Sequence, residues 1–456
     1  MQFENIFTEK RVGSDKVTPG TRSGFQRDFD RLIFSSAFRR LQNKTQVFPL
    51  PGTSFVHNRL THSLEVASVG RSLGKIIGEN ISTSLKAKEE AFEFYRYELA
   101  NVIAAACLAH DIGNPAFGHS GEKAISSYFI VNADEKMEGT ALRDFFSLKE
   151  WRDLTAFEGN ANAVRILTHS FRGRFTGGFG LTYTTVASIL KYPCESVAVD
   201  RNWRHRKKYG FFQAEKDTVA EIAEELQMIR ESDEPLVFKR HPFVYLVEAA
   251  DDICYSIVDM EDAQRLGILS KEEVESAYMQ ILEAIDKKVA DKTHGYYKSV
   301  TDTNEAIAFL RARVINLLVS SVAAVFDFNK QKILDGVYNN SLIDDIENVQ
   351  NALKHVQDIS VKKIYGHDTV VQVEIAGFNV MSELLDLFVP ALLKEKPSHK
   401  EEKILNLFPY QFTEFRETAS HYAKVMNALD HLSSMTDEYA TEMYKKLKGI
   451  VIPGHG

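Results

Sequence analysis

The run Glu98-Leu99-Ala100-Asn101-Val102-Ile103-Ala104-Ala105-Ala106-Cys107-Leu108-Ala109-His110-Asp111-Ile112, closed by Gly113-Asn114-Pro115, decides the fold. It is apolar almost all round, which is the pattern of a central buried helix. The Gly-Asn-Pro sequence stops it. Its last turn places a His and an Asp in an otherwise apolar wall. An ionised carboxylate there is costly unless something compensates it. Asp111 therefore needs a partner, and a divalent cation is the simplest one.

Working outward, Thr61 to Gly78 carries Val66, Val69, Leu73, Ile76 and Ile77 on one helical stripe. Phe25 to Leu41 follows a second such face through Phe25, Phe29, Leu32, Ile33, Ser36 and Ala37, and Pro49 with Pro51-Gly52 predicts a loop between the two. Downstream, the polar composition between about 130 and 156 predicts an exposed excursion, and Arg172 to Thr185 predicts a short hairpin or glycine loop. Helical spacing returns from Phe243 to Gly267 through Phe243, Leu246, Val247, Ala250, Cys254 and Ile257. The remainder to Lys448 reads as amphipathic helices with breaks near Gly336, Gly366 and Pro397. The expected architecture is all-α, a helical bundle with additional C-terminal helices and at most a short β-hairpin.

The chain has 456 residues, 63 acidic against 55 basic, for a net charge of -8. This excludes a generally cationic nucleic-acid coat, so an anionic ligand must be met by a local basic patch. The cysteines Cys107, Cys194 and Cys254 are far apart in sequence, which argues against a disulfide framework or a thiolate zinc site and for a reducing compartment. The first residues lack the features of a signal peptide, and no uninterrupted apolar stretch reaches about 18 residues. The expectation is a soluble, cytoplasmic protein with no membrane partner.

Histidine and aspartate concentrate on the candidate buried helices: His62 opens one, His110-Asp111 closes another, and Asp251 lies midway along a third. Two imidazoles and two carboxylates form a mixed N/O donor set suited to magnesium, manganese, iron, cobalt or nickel. Asp251, Tyr255 and Asp259 recur every four residues and so share a helical face, with Asp252 about 100° round. The plain alternative, a solvated acidic stripe of Asp251, Asp252, Asp259 and Asp262, conflicts with their dense apolar neighbours. His119 and Glu122, three apart, share a face if a helix begins after Pro115, and they can then hydrogen-bond; otherwise His119 is a cap residue. Arg201-Asn202-Trp203-Arg204-His205-Arg206-Lys207-Lys208-Tyr209-Gly210 is the densest basic segment, fit for a phosphate chain or, through Trp203 and Tyr209, for stacking on nucleic-acid bases. Gln42 and Gln46 are spaced to face a ligand together.

These segments occur beside His57-Asn58-Arg59-Leu60-Thr61-His62-Ser63-Leu64-Glu65-Val66, Phe38-Arg39-Arg40-Leu41-Gln42-Asn43-Lys44-Thr45-Gln46-Val47-Phe48, Phe157-Glu158-Gly159-Asn160-Ala161, Lys191-Tyr192-Pro193, Glu248-Ala249-Ala250-Asp251-Asp252-Ile253-Cys254-Tyr255 and Met435-Thr436-Asp437-Glu438-Tyr439-Ala440. In that order they resemble the deoxyguanosine triphosphate triphosphohydrolase branch of the HD superfamily of metal-dependent phosphohydrolases. The resemblance implies metal ligands at His62, His110, Asp111 and Asp251, and a catalytic dyad of His119 and Glu122. It implies substrate contacts at Gln46, Arg59, Lys191, Tyr192, Lys208, Tyr255 and Asp259, with Gln46 reading the sugar 3′-hydroxyl under Tyr255. Glu158 and Asn160 are supporting candidates. It further implies a catalytic core over residues 20–270, a C-terminal helical region over 271–456 packed on it, and a homo-oligomer.

The expected reaction is hydrolysis of a dNTP, dGTP or another, to deoxynucleoside and inorganic triphosphate. Three rival readings keep the same site and give it different chemistry. It could serve a nucleoside monophosphate phosphatase, a guanosine polyphosphate hydrolase, or a regulator that binds nucleotide or single-stranded DNA without turnover. A regulatory nucleotide or single-stranded DNA is a further candidate partner.

Overall fold

The computed structural model describes residues 1–14, 20–48, 56–297, 299–418 and 420–451. The predicted Pro49 and Pro51-Gly52 loop lies outside them.

The central helix runs Leu99–Ala109, with Val102 to Ala109 all at most 1% exposed. It stops three residues short of Ile112. His110 takes the C-cap position, and the chain leaves in tight turns, Ile112 N–H to Ala109 O and Asn114 N–H to Asp111 O. That uncoiling turns His110 and Asp111 out of the apolar wall toward a cavity. Arg59–Ser82 packs along this helix. Its start is fixed by a reciprocal cap in which the Asn58 side chain accepts from Thr61 N–H while the Thr61 hydroxyl accepts from Asn58 N–H. Val244–Arg265 crosses both helices. The predicted 25–41 helix is divided into Gly24–Ile33 and Ser36–Arg40, followed by a 3-10 turn at Leu41–Asn43. The break has a local cause: the Ser35 side chain accepts from Phe38 N–H and starts a new helix.

Strand content among the described residues is two short antiparallel pairs, Lys136–Met137 with Thr140–Ala141 and Arg230–Asp233 with Leu236–Phe238, one more than the sequence suggests. The 130–156 excursion contains the first pair and the helix Leu148–Thr155. The glycine-rich 172–185 segment is a loop in which Gly173, Gly177, Gly178 and Gly180 all have positive φ. It leads into the helix Tyr183–Ile189.

Two apolar cores form. One gathers Leu73, Ile77, Leu99, Ile103, Ile253 and Ile257 together with Val314 and Leu318. The other gathers Phe129, Leu154 and Phe212 together with Leu384, Phe388 and Leu429. Thr303–Leu334 and Asp368–Leu393 are helices with the length and composition of a membrane span, although each includes charged residues. Their buried apolar residues pack into these two cores.

Candidate metal centre and substrate cavities

The Arg59–Ser82 helix, the end of the Leu99–Ala109 helix and the middle of the Val244–Arg265 helix meet at one point. His62 Nε2 is 3.2 Å, and His110 Nε2 3.5 Å, from Asp251 Oδ1. One donor atom from each of these residues lies within 4.8 Å of the others. His110 Nδ1 donates to Cys107 O at 2.6 Å, which leaves the buried Nε2 facing the cluster without a hydrogen-bond partner. A buried imidazole nitrogen without a hydrogen bond, beside a second imidazole and a carboxylate, fits a divalent cation. Burial disfavours the charged form of His110, yet Asp111 and Asp251 outweigh it and lift its pKa to about 9.

Asp111 stands beside this trio rather than within it. Its Oδ1 is 3.7 Å from His110 Nε2 and accepts from Asn114 Nδ2, while Oδ2 accepts from Arg59 Nη1 at 2.7 Å. Burial works against its charge, but Arg59 and the two histidines hold its pKa at about 2. Close packing around Gly113 and Gly118 sets this turn. A Cβ at Gly113 would meet Gly159 O at 2.0 Å, and one at Gly118, whose φ is +55°, would meet Arg59 Nη2 at 2.4 Å.

Two cavities share the wall made by Asp111, His119 and Asp251. The first, of about 180 Å3, is lined by Glu122, Glu158, Lys191, Tyr192 and Lys208 among others. Lys191 lies 3.4 Å from Glu248, and Lys208 donates to Glu158 at 2.8 Å. Burial would lower the pKa of both lysines, but Glu248 raises that of Lys191 and Glu158 that of Lys208, so both are cations. The second cavity, of about 320 Å3, is lined by Gln46, Val47, Arg59, Tyr255, Tyr365, Val370, Val373 and Glu374 among others. Tyr255 stacks on Tyr365 with ring centroids 6.0 Å apart. The Oε1 of Gln46 is buried and free of partners.

His119 begins the helix His119–Val131, so Glu122 shares its face, and both line the first cavity. No hydrogen bond joins them among the described residues. The Glu122 carboxylate instead accepts from Gly159 N–H at 2.8 Å, because Gly159 opens the next helix beside it. Burial, then Glu158, raises the pKa of Glu122 to about 7; burial, then Lys208 and Arg59, lowers that of His119.

Three further expectations change. Asp259 does not line either cavity: it is buried and accepts from Tyr365 Oη at 2.9 Å. Gln42 falls in the 3-10 turn and is exposed, so it does not join Gln46. In line with its dense apolar neighbours, the acidic stripe is not solvated, since Asp262 is buried and holds the His57 ring at 2.7 Å while burial drives the pKa of Asp252 to about 7. In the basic 201–210 segment, Lys208 reaches the first cavity, whereas Arg204 pairs with Glu248 and Arg206 with Glu231. Tyr209 is 1% exposed and closed to base stacking.

Sequence reasoning gave no role to Tyr365, Val370, Val373 and Glu374, which come from a stretch without a recognisable motif. Asp437 likewise had no role assigned from its motif. That carboxylate accepts from Thr45 N–H and Phe117 N–H, both at 2.8 Å, and thereby ties the Gln46 and His119 segments together.

Residues 59–191 match the family model of the HD domain, which spans the region holding His62, His110 and Asp111. A deoxyguanosinetriphosphate triphosphohydrolase-like protein of Synechocystis sp. is 38% identical over 99% of this chain and 100% of its own. The chain belongs to the deoxyguanosinetriphosphate triphosphohydrolase family of HD-domain proteins. It is a hydrolase. A Pseudomonas aeruginosa member named in the same way is 35% identical over 98% of this chain and 99% of its own. A deoxyguanosinetriphosphate triphosphohydrolase of Yersinia enterocolitica is 31% identical, with 93% of each chain covered.

Proposed function

We propose that this family member hydrolyses deoxynucleoside triphosphates, dGTP foremost, to deoxynucleoside and inorganic triphosphate. One observation carries the reading: a lysine-lined cavity and an aromatic cavity meet at His119, Asp111 and Asp251. A phosphate chain held by Lys191 and Lys208 and a nucleoside held against Tyr255 and Tyr365 place the bond between the α-phosphorus and the 5′-oxygen at that junction. A water oxygen bonds to the α-phosphorus as the bond to the 5′-oxygen breaks. The water gives up a proton and the leaving oxygen gains one.

His62, His110 and Asp251 would hold the divalent ion, with Asp111 beside them. When bound, the ion neutralises phosphoryl charge. Arg59 and Asn114 fix the Asp111 carboxylate. The His119 imidazole, kept neutral near neutral pH by burial and nearby cations, carries the proton between water and the leaving 5′-oxygen. Glu122, at the first turn of the same helix, sits in reach of that exchange. Gln46, with its buried unpaired carbonyl oxygen, is suited to a sugar hydroxyl. Glu374 offers two acceptor oxygens to the adjacent N–H donors on the Watson–Crick edge of guanine, which supports dGTP. The C-terminal region, 271–456, thus completes a pocket whose chemistry lies in 20–270. Exposed Val361, Val371 and Ile375 supply apolar surface for a homo-oligomer.

Phosphorus NMR of the products formed with Mn²⁺ and each dNTP tests the reaction. Intact tripolyphosphate supports it. Orthophosphate from nucleoside monophosphates, pyrophosphate from a guanosine polyphosphate, or tight nucleotide binding without turnover contradicts it in favour of the corresponding rival.

A further inference from the structure

We propose that a third cavity, on the far side of the Leu41–Asn43 turn from the substrate pocket, binds a tetrahedral oxyanion of the phosphate class. It has a volume of about 130 Å3 and is lined by Arg40, Lys44, Arg174, Phe412, Asp430 and Ser433 among others. That volume is small for a nucleoside and ample for a phosphoryl group.

Its charge balance is one-sided. Arg40 makes no hydrogen bond or ion pair with any described residue. Arg174 donates to the neutral amide of Gln411. Lys44 is 2% exposed and spends two of its three N–H donors on the backbone oxygens of Asn114 and Ser433, at 2.6 and 2.7 Å. The lining carboxylate, Asp430, is already taken: Arg165 grips both of its oxygens, at 2.7 and 2.8 Å, from the buried side. Ser433 Oγ is buried and without a partner. Arg40, Arg174 and Lys44, whose pKa burial pulls down to about 7, face one satisfied carboxylate and one idle hydroxyl and form a site short of an anion, because a buried cation is stable when paired. Burial, then the nearby Arg174, lowers the pKa of Arg40, as expected where like charges share a cavity.

The ligand geometry follows from these donors. The Arg40 guanidinium presents a planar fork that matches two oxygens of a tetrahedral anion, and the Lys44 amine, from the buried side, has an N–H left over from its two backbone bonds, its charge favoured once an anion is beside it. Arg174 is exposed and stands at the mouth. The same chemistry is offered by free orthophosphate and by the end of a tripolyphosphate chain. The first fills the cavity, and the second would leave through the Arg174 mouth. Neither use depends on the metal cluster or on the reaction proposed above.

Calorimetric titration of the full-length protein with orthophosphate and, separately, with tripolyphosphate tests the site against Arg40→Gln and Arg174→Gln. Neither arginine lines the substrate cavities. The expected result is a binding event in the wild type that each variant weakens at least about tenfold, the loss of one charge-assisted hydrogen bond. Preference for orthophosphate identifies the free ion as ligand, and preference for tripolyphosphate the chain. Arg174→Gln, at an exposed position, keeps the test decisive if Arg40→Gln fails to fold. Crystals soaked in tungstate should show anomalous density within hydrogen-bonding distance of Arg40 and Lys44. Unchanged affinity and stoichiometry in both variants, or tungstate density confined to Lys191 and Lys208, would overturn the proposal.

Discussion

Tyr365 donates its hydroxyl to the buried Asp259 carboxylate at 2.9 Å and stacks its ring on Tyr255. A residue from the motif-poor C-terminal half is thereby locked to the helix that carries Asp251. Asp259 thus meets the wall of the second cavity only through Tyr365, although it shares the Asp251 face. Tyr365→Phe leaves a buried carboxylate without that donor and should cost about 1 to 3 kcal/mol of stability, read as a lower urea midpoint. KM for dGTP should rise, since the aromatic wall loses its anchor.

Asp259 also sets a pH dependence. Burial lifts its pKa from 3.8 to about 7, although Tyr365 and His62 pull it down. The folded protein therefore keeps a proton that the unfolded chain releases above pH 4. The resulting stability is full below about pH 4 and is lost as pH rises through about 7, with a slope of at most about 1.4 kcal/mol per pH unit. Thermal melts across that range should show a shallower fall for Asp259→Asn than for the wild type. Parallel curves would remove this assignment.

His119→Ala removes the group proposed to carry the proton. Steady-state assays should show kcat reduced about 100- to 10,000-fold, with KM for the dNTP changed far less. Glu122→Gln should fall between this variant and the wild type, since Glu122 is held by Gly159 N–H and not by the imidazole. Equal turnover of His119→Ala and wild type would place the proton transfer elsewhere.

Much of this site was legible in the chain because burial and charge conflict locally. A His-Asp pair ending an apolar helix, an Asp in the next apolar helix and a His opening a third each demand compensation, and the structure brings His62, His110 and Asp251 together. Helix starts followed the same logic where a side-chain cap is written in the sequence, as at Asn58-Arg59-Leu60-Thr61. The failures were of reach rather than type. Spacing put Asp259 on the right face but could not reveal that Tyr365, over one hundred residues away, would claim its carboxylate. Periodicity likewise missed the 3-10 turn at Leu41–Asn43 that removes Gln42 from the Gln46 face, and a run of cations does not disclose that Glu231 takes Arg206 and Glu248 takes Arg204. Glu374 had no local signal, being one exposed carboxylate on a long amphipathic helix.

Base choice depends on Glu374 in the proposed arrangement. Glu374→Gln replaces one of two acceptor oxygens with an N–H donor that faces the guanine donors. Competition assays with mixed dNTPs should show kcat/KM for dGTP falling about tenfold or more relative to dATP, the scale for an unmatched polar group in a built site. An unaltered ratio would move base recognition to another wall.

The account turns on three helices delivering His62, His110 and Asp251 to a single divalent ion. Electron paramagnetic resonance of Mn²⁺ titrated into the purified protein reads this directly, because the signal of the free ion is lost on binding. The wild type should remove an equimolar amount of Mn²⁺ from solution, and Asp251→Asn, folded by circular dichroism, should leave nearly all of it free. A folded Asp251→Asn protein that takes up Mn²⁺ as fully and as tightly as the wild type would contradict the assignment.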